Sequence, residues 1–298
     1  MKRKIIKQGL GGFTIYLPKK WVTQKGLQGG QEVEVVEKDD ALVIQAHSTP
    51  AKKEGTVRVD TKDNRFLRYI LNNYYRAGYD KITLQGEVNE QEVHAALRLL
   101  LGFEITSVGK HEIIIESVAK SSDYDVGQLL KRIFFIVKQD LLTMTENLLA
   151  ATSPDHETIA RNSDTVIRTS NLYIRLIAQH PDPKQGSRST LANLLTWVHR
   201  QLYYLSLQLA QKKREYLKAK EKEFITAVSK LATYLYEGIF TSSQTSFEKI
   251  HQHYNRYEKE MYSLAKNKSE YVTAVIYHFL LIQKYIHHAT SSGIGLIT

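Results

Sequence analysis

The first 25 residues carry an unbalanced run of positive charge. They include seven basic residues and no acid, and Glu32 is the first acidic side chain in the chain. Lysine and arginine in such a segment can neutralise the phosphates of a nucleic acid, which is the chemistry this pattern favours. The seven residues are Lys2, Arg3, Lys4, Lys7, Lys19, Lys20 and Lys25.

The whole chain is basic as well. Its 298 residues include 41 Lys and Arg against 31 Asp and Glu, a formal net charge of +10. This excess favours an anionic partner, either a nucleic acid or a membrane surface. No apolar run approaches the roughly 18 residues of a membrane span, so we expect no membrane insertion. The absence of cysteine excludes disulfides and thiolate chemistry and fits a reducing cytoplasm, where we expect the protein to reside.

Short strands and turns must position the basic residues. The pattern predicts strands over 4–7 and 13–17 on either side of a glycine-rich break, followed by a short helix that starts after Pro18 and is closed by Gly26. Two further strands, at 32–37 and 41–45, flank an acidic turn. About 45 residues with four short strands cannot build a stable core alone, so we expect two chains to pair.

This order of elements, with Leu17-Pro18 before the helix and Gly26-Leu27 after it, resembles the AbrB-like (SpoVT/AbrB) swapped-hairpin family of DNA-binding domains. The resemblance covers residues 2–46. It implies an intertwined homodimer whose basic face lies on DNA.

The resemblance to the AbrB-like family also indicates which residues are expected to contact DNA. Lys7 falls where the bacterial members have a DNA-contacting arginine, whereas Val22 and Thr23 stand where their short helix carries arginines. Lysine contacts phosphate as a point charge, while arginine reads guanine with two bonds, so we expect strong backbone contact and modest base readout. The expected DNA-binding residues are Arg3, Lys4, Lys7, Lys19, Lys20 and Lys25.

The rest of the chain changes character twice. A linker is predicted at 48–54, and beyond it strands and helices alternate. From 122 to 290, apolar residues recur every three or four positions, which predicts six long helices in two groups of three. The expected fold class is therefore α+β multidomain. Its parts are a swapped-hairpin β module (1–48), a small α+β middle domain (49–119) and an all-α pair of three-helix bundles (120–215 and 216–298).

The expected order is an AbrB-like module, a small α+β domain and then two three-helix units. This order resembles the archaeal-type PhoU phosphate-uptake regulators, with local similarity at 171–176 and at Ile282 and Tyr285. PhoU bundles typically bind metal clusters through acids spaced four apart on one helix face. None of the corresponding positions here is acidic, so we predict a PhoU-like fold without a PhoU-type metal cluster. These positions are Val166, Ser170, Tyr203, Leu207, Leu280 and Lys284.

Histidines in the last predicted bundle leave two interpretations open. They could gather around a transition metal, or they could be polar surface residues. Adjacent histidines on a helix point apart and no carboxylate sits at ligand spacing, so we favour surface histidines and predict no metal ligands. The residues concerned are His251, His253, His278, His287 and His288.

Catalytic signatures are missing from the sequence. It contains no G-x-S-x-G, H-E-x-x-H, Walker or kinase motif, so we expect no catalytic residue and no cofactor. The leading hypothesis is a DNA-binding transcriptional regulator linked to phosphate uptake. One alternative is an adaptor that dimerises without DNA and regulates a phosphate transporter or signalling partner through its bundles. Another is an architectural protein that binds DNA without sequence preference.

Overall fold

A computed structural model describes residues 3–9, 11–38, 41–46, 52–59, 64–119, 124–179, 182–258, 260, 266 and 268–298. It divides into two compact units, Met1–Lys52 and Lys53–Thr298. The chain is a mixed α+β protein with a small β-rich N-terminal region and a long helical C-terminal region, which confirms the expected class at this level.

The first unit contains two separate antiparallel hairpins joined by a short helix. Pro18 lies directly before the helix, and Gly26 follows it with a φ of 65°, as the sequence predicted. The first hairpin pairs β1 (Ile6–Gln8) with β2 (Gly12–Thr14), the helix is α1 (Lys19–Gln24), and the second hairpin pairs β3 (Val33–Lys38) with β4 (Ala41–Ala46).

Within one chain, the described residues of this unit do not enclose a core. None of its side chains whose burial is described is buried, and several large apolar ones are half or more exposed. An isolated two-stranded hairpin is marginally stable in water, so these strands need a further surface to cover them. The apolar side chains left exposed include Ile5, Phe13, Ile15, Tyr16, Val35 and Leu42.

The second unit begins with a four-stranded sheet of order β5-β6-β8-β7. The parallel pair β5–β6 is connected through α2, and the other pairs are antiparallel. Helix α2 buries Leu71 and Tyr75 against the sheet and leaves Phe66 exposed. The elements are β5 (Glu54–Arg58), α2 (Asn64–Arg76), β6 (Lys81–Gln85), α3 (Glu90–Leu97), β7 (Phe103–Val108) and β8 (Glu112–Ser117).

Six long helices are described in the rest of the second unit, in the region where the sequence predicted helix. One hydrophobic cluster contains side chains from all six, and α6 packs against both α5 and α9. No helix within the described ranges is long and apolar enough to cross a bilayer. The helices are α4 (Val126–Leu149), α5 (His156–Gln179), α6 (Gln185–Leu209), α7 (Ala219–Phe240), α8 (Gln244–Glu258) and α9 (Glu270–Ile297).

Arg175 on α5 joins the sheet region to the helices. Its guanidinium donates to the Asp80 carboxylate at 2.6 Å and to the backbone carbonyl oxygens of Tyr75 and Tyr79. Burial lowers the pKa of Arg175, while the neighbouring Asp80 carboxylate raises it. A buried cation with three acceptors fixes the end of α2 and the turn before β6 on α5, because no other side chain matches this fork of donors.

We expect Arg175→Lys to lower the free energy of unfolding by about 2 kcal/mol. The ammonium keeps the charge but cannot reach all three acceptors, so buried carbonyls lose their partners. Denaturant unfolding measures the loss. Arg161→Lys is the matched control, because Arg161 forms an exposed pair with Glu157 on the same helix and such pairs contribute little. Equal losses in the two variants would contradict the assigned role of Arg175.

Candidate nucleic-acid interface

Helix α1 presents two lysines directly after Pro18. The proline has no amide hydrogen, so it can precede the first turn without leaving a donor unpaired. Its carbonyl oxygen accepts a hydrogen bond from the backbone N–H of Val22 at 3.0 Å. Lys19 and Lys20 therefore extend from a defined first turn, and both side chains are exposed.

A shallow groove, most of it open to solvent, lies against this turn. Arg3 contributes a third cation to its wall, so three positive side chains line it, and no acidic residue is among the described residues that do so. A concave surface with unbalanced positive charge attracts a polyanion and keeps it close. The groove is lined by Arg3, Pro18, Lys19, Lys20, Trp21 and Gln24.

The six residues expected to bind DNA are all exposed, but the groove unites only three of them. Lys7 lies on β1 opposite Phe13, and Lys25 is the residue directly after the last residue of α1. Lys4 immediately follows Arg3 and precedes β1. Arg3, Lys19 and Lys20 therefore form the centre of the candidate interface, which we call the basic groove.

Trp21 and Gln24 also line the basic groove and were missed by the sequence prediction, which weighed charge alone. The available signal was the position of Trp21 directly after two lysines. An indole can stack on a base, and a glutamine amide can donate and accept hydrogen bonds. The groove thus combines charge with one aromatic and one amide side chain, which is a composition suited to nucleic acid.

Comparison with known proteins adds no identification. No protein-family model, curated protein or solved structure matches this chain. The resemblances to the AbrB-like and PhoU families therefore stay predictions based on the order of elements and the residue patterns.

The positions expected to correspond to PhoU metal ligands differ in their burial. Val166 and Ser170 are fully buried on α5, and the Ser170 hydroxyl accepts a hydrogen bond from Thr196 at 2.9 Å. Leu207 and Lys284 are exposed instead. Across the described part of the chain, no group of three or more His, Asp or Glu is placed to hold a metal ion.

The helical interior holds a polar network that the apolar periodicity did not reveal. His199 is fully buried on α6, with Nε2 2.8 Å from Oδ2 of Asp140 on α4. Asn162 on α5 donates to both oxygens of the same carboxylate at 2.9 Å. Three helices are thus joined at one buried point, where hydrogen bonding compensates for the cost of burying a carboxylate.

His278 corrects one expectation about the histidines. It was expected on the surface, but it is only 3% exposed on α9, and its Nδ1 lies 2.9 Å from Oε1 of Gln201 on α6. This contact places the proton on Nδ1, since the amide oxygen only accepts. Burial lowers the pKa of His278 to about 4, so the buried ring is neutral at pH 7.

We expect His278 to make stability depend on pH. An unfolded histidine titrates near 6.5, so between about pH 6.5 and pH 4 the unfolded chain binds the extra proton and stability falls as pH falls. Going from pH 7 to pH 5 should cost about 2 kcal/mol through this residue. Denaturant unfolding at both pH values should show a smaller difference in His278→Gln than in wild type or in the exposed control His288→Gln. An unchanged difference in His278→Gln would refute the assignment.

Proposed function

We propose that this protein is a DNA-binding transcriptional regulator whose N-terminal module, residues 1–48, holds DNA as a homodimer. The observation that carries the proposal is the basic groove, which Arg3, Lys19 and Lys20 line and where none of the described lining residues is acidic. Since no acidic residue precedes Glu32, these cations have no internal counter-charge nearby in sequence. Phosphates of a DNA backbone would provide it.

Dimerisation is supported by the exposed apolar side chains of the first unit. Two separate hairpins without a buried residue among those described cannot account for a stable domain. A second copy, with hairpins exchanged as in the AbrB-like family, would pair the free strand edges and cover Phe13 and Val35. It would also duplicate the basic groove, so that two sets of three cations face one duplex.

The residue types in the groove define the expected mode of binding. Lys19 and Lys20 supply point charges to phosphates, whereas Arg3 can donate two parallel hydrogen bonds to a phosphate or a guanine edge. Lys4, Lys7 and Lys25 lie outside the groove and would contact the backbone at its rim. Affinity would then depend mainly on charge, with limited sequence discrimination contributed by Arg3, Trp21 and Gln24.

The helical region would act as the sensor or scaffold of this regulator. The signal proposed is phosphate status, which the resemblance to archaeal-type PhoU regulators implies. The protein would act in the cytoplasm without a catalytic step, and ligand- or partner-dependent changes in the bundles would alter DNA binding.

Footprinting on the protein's own promoter tests the regulator against an architectural DNA-binding protein. A regulator should protect a defined stretch at concentrations where random DNA of equal length stays unprotected. Equal protection of both DNAs would favour the architectural alternative, and protection of neither would contradict DNA binding.

A second candidate function, an adaptor for a protein partner, is favoured by apolar residues on α4. Phe135 and Leu142 lie seven residues apart, which places them on one face of the helix, and both are exposed. Such a surface can dock a transporter or signalling protein. An adaptor that uses its basic module only to dimerise would show no steep loss of DNA affinity with salt, which distinguishes it from the regulator.

A further inference from the structure

A second shallow groove, much of it open to solvent, runs between α7 and α8 within the second unit. Near one end, Arg256 donates to the Glu223 carboxylate at 2.7 Å, and near the other the Lys249 ammonium lies 5.0 Å from the centre of the Tyr234 ring. These two contacts show that the helices run antiparallel. The lining residues of each helix follow a spacing of three to four positions, so each wall of the groove is one helix face.

Cations stand at both ends of this α7–α8 groove. Lys249 and Arg256 are seven residues apart on α8, which corresponds to two turns and about 10.5 Å along the helix axis. Lys230 lines the α7 wall, and all three cationic side chains are exposed. Glu223 is the one acid among the described lining residues, so positive charge predominates in the groove.

The floor between the two ends is aromatic and uncharged. The ring of His253 lies next to those of Phe224 and Tyr257, with centroids 6.5 and 4.8 Å away. Burial lowers the pKa of His253 to about 4, so the ring is neutral at pH 7. Ala227 extends the apolar surface along α7. A ligand that complements this groove therefore carries negative charge at both ends and an apolar surface between them.

We propose that the α7–α8 groove docks an acidic amphipathic helix of a protein partner. Carboxylates at positions i and i+7 of such a helix lie about 10.5 Å apart on one face, which matches the spacing of Lys249 and Arg256. Apolar side chains at i+3 and i+4 would cover the uncharged floor. A nucleic acid is less complementary, because its phosphates would meet the Glu223 carboxylate. Docking here is independent of DNA binding by the basic groove.

Designed peptides test the docking of a helix on the full chain. The probe is a fluorescein-labelled helical peptide of about 20 residues, with Glu at i and i+7 and Leu at i+3 and i+4. In fluorescence anisotropy without DNA, it should bind at micromolar concentration. A peptide of the same composition with Glu at i and i+5 should bind at least tenfold more weakly, because one carboxylate then points away from the groove.

Charge exchange locates the bound helix. Lys249→Glu/Arg256→Glu should weaken binding of the Glu peptide at least tenfold, and it should bind a peptide with Lys at the same two positions, which the wild type does not bind. Binding of the Lys peptide distinguishes reversed contacts from a damaged fold. The exposed Arg256–Glu223 pair contributes little stability, so its loss should leave the variant folded.

The matched control is Lys110→Glu/Arg132→Glu, which makes the same change in net charge at exposed positions elsewhere in the second unit. It should bind the Glu peptide like the wild type. No binding of the Glu peptide to the wild type, or equal binding to the two double variants, would overturn the proposal. Duplex DNA that loses affinity in Lys249→Glu/Arg256→Glu but not in the control would also overturn it, since the groove would then belong to a nucleic acid.

Discussion

Reversing two charges in the basic groove should reduce DNA affinity at least 100-fold. In Lys19→Glu/Lys20→Glu a dimer loses four cations and gains four anions at the surface proposed to face the phosphates. Fluorescence anisotropy with a labelled duplex measures the loss. The dependence on salt should also weaken, because each lost phosphate contact removes about 0.9 from the slope of log K against log salt.

The matched control is Lys213→Glu/Lys220→Glu, which makes the same change in net charge at exposed lysines of the second unit. We expect it to lower DNA affinity less than threefold, because long-range effects of surface charge are screened at physiological salt. Similar losses in both double variants would mean that total charge, rather than the basic groove, governs binding.

Phe13→Asp should convert the protein from a dimer to a monomer. Phe13 is 68% exposed within one chain, and in the proposed dimer its ring would be covered by the partner. Burying a carboxylate in an apolar interface costs several kcal/mol, which is enough to separate the chains at micromolar concentration. Sedimentation should show about twice 34.2 kDa for the wild type and a single chain for the variant.

Tyr216→Asp serves as the control, because Tyr216 is 77% exposed in the segment between α6 and α7 and lies in the second unit. It should leave the dimer intact. A Phe13→Asp protein that stays dimeric would exclude an interface through the N-terminal hairpins. Loss of DNA binding in a monomeric Phe13→Asp variant is expected as well, since only one groove would then contact the duplex.

The succession of elements was predictable from local sequence signals. Pro18 and Gly26 set the bounds of α1, Asn89 caps α3 through a hydrogen bond to the backbone of Gln91, and Asp125 caps α4. These signals act over a few residues, so they can be read without knowledge of the tertiary structure. The six long helices followed from apolar periodicity for the same reason.

Contacts between distant residues were not predictable in this way. Arg3 lines the same groove as the lysines of α1, which are 16 or more positions away in sequence, and Arg175 binds Asp80, which is 95 positions away. The buried Asp140–His199 pair likewise depends on how α4 and α6 pack. Periodicity marks which face of a helix is apolar, but it does not reveal which polar side chains find partners inside.

The dependence of DNA affinity on salt tests the proposed role of the basic groove most directly. Three groove cations from each of two chains give about six phosphate contacts and a negative log–log slope of at least about 5 in magnitude, which the rim lysines would steepen, so affinity should fall about 10³-fold or more between 50 and 200 mM salt. A titration of the wild-type protein against a duplex at several salt concentrations gives this slope. A slope near zero, or no binding at 50 mM salt, would contradict DNA binding through the basic groove.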